Sequence, residues 1–291
     1  MSWYERWMRA QRGFAEGIEV MTNTTKLTPM QKEELNDKLI AAAEKGDIES
    51  VKRLIEKGAD VDAKDKDEWT ALHRAALEGS VDVAKVLIEN GADVDAKNNS
   101  GWTALHGAAW HRHVEVAKIL IESGADVNVQ DNDGRTALHE VAWKGHVEVV
   151  KILVESGADV DVKDNDGRTA LHGAALNGHV DIMKILVEKG ANVDAKSSIG
   201  STALHRATLT GHIKVAMILI ENGADVDAHD NRGWTAQDIA IQNSNNEIAK
   251  LIENAKKIFR VAYKGIDILS INMDELVRRA DESAKRICRR D

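Results

Sequence analysis

The sequence is short of residues that interrupt helices or cross-link chains. Pro29 is the only proline among 291 residues, so long helical runs can form with few forced breaks. Cys288 is the only cysteine, which excludes a disulfide within the chain and is typical of a reducing compartment. No apolar run approaches the roughly 20 residues that span a bilayer, and the first residues are too charged for a secretory signal. We therefore expect a cytoplasmic protein without a transmembrane segment.

The chain also lacks an excess of basic charge, because 48 acidic residues outnumber 39 basic ones and the net charge is −9. This balance argues against nucleic-acid binding, which needs a cationic surface. The sequence contains no phosphate-binding glycine loop, HExxH motif or GxSxG motif. We therefore predict a protein that is not an enzyme and takes no cofactor and no metal.

What the chain does contain is an internal repeat of 33 residues. The motif TALH recurs at this step, beginning at Thr70, Thr103, Thr136, Thr169 and Thr202. A second motif, GA(D/N)V, recurs at the same step. In the unit at 131–163, Ala137, Leu138 and Val141 form an apolar helix face, Thr136 is placed to cap the helix and Gly145 to end it. Such units cannot bury their apolar faces alone, so we expect them to stack on one another.

This pattern closely resembles the ankyrin repeat family, with alanine in place of the proline of its Thr-Pro-Leu-His signature. The resemblance implies an all-α repeat solenoid of paired antiparallel helices with β-turn fingers, in about seven units including both caps. We predict an amphipathic segment at 1–28, an N-terminal capping repeat at 29–64, five ankyrin repeats at 65–229, a C-terminal capping repeat at 230–262 and a basic amphipathic helix at 263–291.

Histidines recur at the same step, and the resemblance implies a structural role for them. One series belongs to TALH and a second follows the first helix of each unit: His73, His106, His139, His172 and His205, then His113, His146, His179 and His212. Repetition spreads these rings along the stack instead of gathering them around one ion. Asp131, Asp133 and Glu140 match part of a calcium loop, but Val129 at its first position cannot ligate, so we reject that site.

Tryptophans occupy two positions of the repeat. Trp69, Trp102 and Trp234 directly precede the repeat threonine, and Trp110 and Trp143 lie near the end of the first helix. The resemblance places both positions on the concave side, where ankyrin proteins usually hold protein partners. Since exposed tryptophan and arginine often anchor interfaces, we predict a partner-binding surface there. Its members are Trp69, Leu77, Trp102, Trp110, His111, Arg112, Arg135, Trp143 and Trp234.

Two alternatives stay open for this surface. A tryptophan before the threonine could instead pack on the adjacent finger and stiffen the stack. Arg112 and Glu68 replace glycines of the other units, and a residue other than glycine in a left-handed conformation costs about 1 kcal/mol. Arg112 therefore either changes its loop or is tolerated because it contacts something.

The two ends of the chain suggest a second functional hypothesis. Residues 2–20 are predicted to form an amphipathic helix that docks on the array, self-associates or contacts a membrane surface. Residues 270–291 form a second, basic helix candidate. In this alternative, the chain is an effector or inhibitor that grips a target protein with its terminal helices, in which case its location would be a host-cell cytosol.

Overall fold

A computed structural model describes residues 27–263. Fourteen α-helices account for the regular structure of this range, where the only β contact is an isolated antiparallel bridge between His229 and Thr235. The helices are α1 (Pro29–Glu44), α2 (Ile48–Glu56), α3 (Ala71–Glu78), α4 (Val81–Glu89), α5 (Ala104–Trp110), α6 (Val114–Glu122), α7 (Ala137–Lys144), α8 (Val147–Glu155), α9 (Ala170–Asn177), α10 (Val180–Glu188), α11 (Ala203–Leu209), α12 (Ile213–Glu221), α13 (Ala236–Gln242) and α14 (Asn246–Tyr263). The helices predicted at 2–20 and 270–291 lie outside the described residues.

The described residues divide into two compact units, 27–165 and 166–263. In the first unit, each odd-numbered helix packs on the even-numbered helix that follows it, and α1, α3, α5 and α7 also pack in succession. The second unit repeats this pattern with α9, α11 and α13 as first helices of the pairs and α10, α12 and α14 as second helices. The predicted stacking of helical pairs is therefore confirmed within each unit.

The core of each stack is built from a leucine and small residues on the first helices. Leu72, Leu105 and Leu138 are all 1% exposed, and the alanines beside them let neighbouring helices approach closely. On the second helices, Leu87 and Leu120 are fully buried against the same core.

The TALH motifs form capping boxes, as predicted for Thr136. In the first of them, the Thr70 amide donates to Nδ1 of His73 and the His73 amide donates back to the Thr70 hydroxyl. The same ring reaches the next repeat, because His73 Nε2 lies 2.9 Å from the Trp102 carbonyl oxygen. In the second histidine series, His113 Nε2 lies 2.9 Å from the Leu77 carbonyl oxygen. These contacts confirm the structural role expected of the repeated histidines.

Arg112 keeps the left-handed backbone of the glycines that it replaces. Its φ angle is 62°, and Glu68 has a φ of 64°, whereas Gly145 at the position equivalent to Arg112 has 86°. The loop at Arg112 is therefore unchanged, and this residue holds the strained left-handed backbone.

Arg112→Gly is expected to raise the free energy of unfolding by about 1 kcal/mol, because glycine adopts this φ without a Cβ penalty. Chemical denaturation followed by far-UV circular dichroism measures the change. The control is Arg112→Ala, which removes the charge but keeps the Cβ. An alanine variant as stabilised as the glycine variant would contradict the strain argument.

Candidate protein-binding surface

The fingers of the array are the turns that precede each first helix, and tryptophans stand at their bases. Trp69 is half-buried and its ring meets His73 edge-on, with centroids 5.5 Å apart. The guanidinium carbon of Arg74 lies 4.9 Å from the Trp69 ring centroid, and Arg74 also pairs with Asp65 at 2.7 Å. This indole is therefore partly covered by a cation of its own repeat.

Trp102 is held in place by the next finger. Its indole Nε1 donates to Asp131 Oδ2 at 3.2 Å, and its ring lies 5.9 Å from that of Trp110. Trp102 is half-buried by these contacts. The alternative that such a tryptophan stiffens the stack is thus partly correct, because the indole of one repeat bonds to the finger of the following one.

The helix-end tryptophans differ in how far the protein covers them. Trp110 is half-buried, and Lys144 Nζ lies 3.8 Å from its ring centroid. Trp143, at the equivalent position one repeat on, is 45% exposed. Of the four tryptophans of the first unit that are predicted to be exposed, only Trp143 has more than a third of its surface exposed. Trp69, Trp102, Trp110 and Trp143 are called the indole surface below.

Arg135 is the centre of an acidic cluster. Its guanidinium lies 3.1 Å from Asp131, 2.8 Å from Asp133 and 3.2 Å from Glu140. Asp131 and Glu140 are almost wholly buried, whereas the Asp133 side chain is 73% exposed. The three carboxylates that resembled a calcium loop therefore surround a guanidinium, and Arg135 is held by its own chain.

Burial is the largest influence on the pKa of Glu140. It raises the pKa of this carboxyl, and the nearby Asp131 and Asp133 raise it further, while Arg135 and Lys144 lower it. One guanidinium shared among three carboxylates leaves the cluster with an excess of negative charge. Across the described residues, no group of three or more His, Cys, Asp or Glu side chains is arranged to hold a metal ion.

The remaining predicted residues of this unit are Leu77, His111 and Arg112. Leu77 is half-buried beside Gly107, where an added Cβ would meet Leu77 Cδ2 at 3.2 Å. His111 is exposed and stacks on His113, with centroids 6.0 Å apart. Arg112 Nη2 lies 3.8 Å from Glu148 on α8. Arg112 therefore has a carboxylate partner of its own on a second helix.

Between two fingers runs a groove of about 430 Å³. Trp69, Trp102 and Arg135 line it together with the finger residues 98–100 and 131–133. It offers two aromatic faces, one guanidinium and a rim of amide, hydroxyl and carboxylate groups. Such a mixture suits the side chains of an extended protein segment better than a small apolar molecule.

The second unit exposes large apolar side chains that the predicted binding surface does not include. Ile199 in a finger is 52% exposed and Leu209 at the end of α11 is 48% exposed. Trp234 in this unit is half-buried, with Arg232 lying 5.3 Å from its ring centroid. The sequence does carry a signal for Ile199, because an isoleucine stands where the other fingers have polar residues such as Ser100 and Asp133.

Comparison with known proteins identifies the array. The family description "Ankyrin repeats (3 copies)" matches residues 39–131, 123–197 and 193–260. The crystal structure of the human ASB11 ankyrin repeat domain is similar, with a TM-score of 0.67 and 30% identity over 74% of this chain and 96% of that one. The comparison with curated proteins found no match.

The chain belongs to the ankyrin repeat family. Ankyrin repeats are generally modules of protein–protein interaction and are generally not catalytic. No helix within residues 27–263 has the length and apolar character needed to cross a membrane.

Proposed function

We propose that this protein is a non-catalytic adaptor that binds a partner protein, and that its first unit does so through the indole surface. The observation that carries the proposal is Trp143, whose large apolar ring is 45% exposed at the position that Trp110 occupies one repeat earlier. Tryptophan is enriched among residues that anchor interfaces, because burying its ring removes a large apolar area from water.

The surroundings of these rings support a protein partner. Polar groups of the fingers and the charged pair Arg135–Asp133 border the indoles, as polar rims border the apolar centre of many interfaces. We include Leu77, His111 and Arg112 in the proposed surface of the first unit. Trp234 is proposed separately as a partner-binding residue of the second unit. We place the adaptor in the cytoplasm, a location that agrees with its single cysteine.

Replacing both Trp110 and Trp143 with alanine is expected to weaken partner binding at least about tenfold, because two anchoring rings are lost. Proteins captured from a cell lysate by the wild-type chain are identified by mass spectrometry. The affinity of each purified partner for both chains is then measured by isothermal titration calorimetry.

The matched control is the double variant Trp110→Phe and Trp143→Phe, which keeps an aromatic ring at both positions. We expect it to retain most of the affinity, and we expect thermal unfolding of the alanine variant to remain cooperative. A folded alanine variant that binds every captured partner as tightly as the wild type would refute the proposal.

A further inference from the structure

Two finger-base indoles of this protein are paired with a guanidinium of their own repeat. Arg74 lies over Trp69 at 4.9 Å, and Arg232 lies over Trp234 at 5.3 Å. The two arginines come from different places, since Arg74 follows its tryptophan by five residues and Arg232 precedes its own by two. The same pairing is therefore reached by two routes, which shows that this position accepts a guanidinium well.

Trp102 has no such partner. The residue five positions after it is Gly107 and the residue two positions before it is Ser100. Among the described residues, no cation lies over its ring, whereas Trp69, Trp110 and Trp234 each carry one. The Trp102 ring lines the open groove between the fingers and is half-buried.

Two carboxylates, Asp131 and Asp133, and one guanidinium, Arg135, line the same groove, and Arg135 also pairs with Glu140 next to it. Asp131 accepts the Trp102 indole N–H, and Asp131, Asp133 and Glu140 all depend on Arg135. Glu140 is 3% exposed, and its Oε1 accepts no well-formed hydrogen bond although Arg135 lies 3.2 Å away. A buried carboxylate in this condition is costly, and added positive charge nearby would offset that cost.

Two other cations of this unit, Arg74 and Lys144, already have partners and do not offset the negative charge of the cluster. Arg74 is paired with Asp65 and stacked on Trp69. Lys144 lies on the Trp110 ring and lowers the pKa of Glu140, but burial outweighs it and the pKa stays raised. The exposed Asp133 carboxylate remains open to a second cation from solvent.

We propose that the groove between the fingers at 98–100 and 131–133 receives an arginine side chain of the partner protein. Its guanidinium stacks on the Trp102 ring, in the role that Arg74 has at Trp69, and pairs with Asp133. That pairing frees part of Arg135 for Glu140. The inference rests on the proposed function and specifies the partner as a protein with an exposed, arginine-containing basic segment.

The test uses the full chain with its tryptophan indoles labelled with ¹⁵N, and blocked hexapeptides of alternating glycine and arginine, lysine or glutamate as probes. In about 0.15 M salt, we expect the arginine peptide to shift the Trp102 indole signal saturably. The lysine peptide should bind several-fold more weakly, because an ammonium stacks less well on a ring and pairs with one oxygen at a time. The glutamate peptide should have no effect. Trp102→Phe assigns the signal.

Two variants probe the acidic cluster. Asp133→Asn and Glu140→Gln are each expected to weaken arginine-peptide binding by roughly threefold to tenfold. The matched control, Asp82→Asn on the second helix α4, makes the same change in net charge and should leave the affinity unchanged. Because the Asp133 side chain is 73% exposed, its variant keeps the test valid even if Glu140→Gln perturbs folding.

The outcomes separate this inference from the proposed function. A Trp102 signal that ignores the arginine peptide, or responds equally to glutamate, overturns the inference, and equal affinity for lysine overturns the assignment to arginine. In either of these outcomes, the adaptor function is supported if replacing Trp110 and Trp143 with alanine abolishes binding of the captured partner. If the alanine variant still binds its partner while the arginine peptide binds at Trp102, the arginine site is supported and the proposed indole surface is refuted.

Discussion

Replacing Leu138 with alanine is expected to lower the free energy of unfolding by about 3 kcal/mol. Leu138 lies in α7 and is 1% exposed. Its helix packs on α5 before it and on α8 after it, so the missing side-chain atoms leave a cavity that both neighbours border. In a repeat stack, stability depends on such nearest-neighbour packing, since each pair of helices buries its core only against the next. Urea unfolding followed by far-UV circular dichroism measures the loss.

The matched control is Leu209→Ala, which makes the same chemical change at the end of α11. Leu209 is 48% exposed, so its variant is expected to change the free energy of unfolding by less than about 0.5 kcal/mol. Equal losses for the two variants would show that burial in the stack is not what makes the repeat leucines stabilising.

The sequence was sufficient to predict the repeated helical pairs because their signals are local or periodic. Thr136 caps α7 and Gly145 ends it with a positive φ, both within one short segment. The burial of Leu138 likewise follows from its place in a pattern that recurs every 33 residues. Because the same caps and apolar positions recur in every repeat, the helical pairs and their stacking can be predicted from one repeat and its period.

The exposure of the indoles could not be predicted in the same way, because it depends on contacts between repeats. Trp102 bonds to Asp131, 29 residues away, and Lys144 lies over Trp110, 34 positions earlier in the chain. Neither contact belongs to the repeat consensus. They arise because particular side chains happen to meet across one interface between repeats, and a one-dimensional pattern does not contain that meeting.

The contacts of Arg135 could not be predicted from the sequence either. In the sequence it stands where the preceding repeat carries Trp102, and it is predicted from the sequence as a partner-binding arginine. In the structure its guanidinium is shared among Asp131, Asp133 and Glu140. The burial of Glu140 against Arg135, which supports the inferred arginine site, depends on a contact that the repeat pattern does not contain.

The capping histidines supply the second large effect, a loss of stability in acid. In the second TALH motif, the Thr103 amide donates to Nδ1 of His106 at 3.2 Å, so this nitrogen must be unprotonated. The other ring nitrogen, Nε2, then carries the hydrogen and donates to the Arg135 carbonyl oxygen at 3.2 Å. Only the neutral imidazole satisfies both contacts, and it is 1% exposed.

Lowering the pH from 6.5 to 4 is therefore expected to remove about 3 kcal/mol of folding stability through His106 alone. Burial lowers the pKa of His106 from 6.5 to about 4, so the unfolded chain binds the proton more readily than the folded one. The stabilisation is complete above pH 6.5, falls as the pH drops below that value and is fully lost below about pH 4. Burial also lowers the pKa of His73 and His205, which adds to the loss.

Urea unfolding at a series of pH values between 7.5 and 4 measures this dependence, and His106→Gln isolates the contribution of one ring. Glutamine can accept from the Thr103 amide and donate to the Arg135 carbonyl, but it does not titrate in this range. The variant is expected to be less stable than the wild type at pH 7.5 and to lose less stability on acidification. Parallel pH profiles for the two chains would mean that the buried imidazole is protonated as easily in the folded state as in the unfolded one, contrary to the hydrogen bonds that hold it.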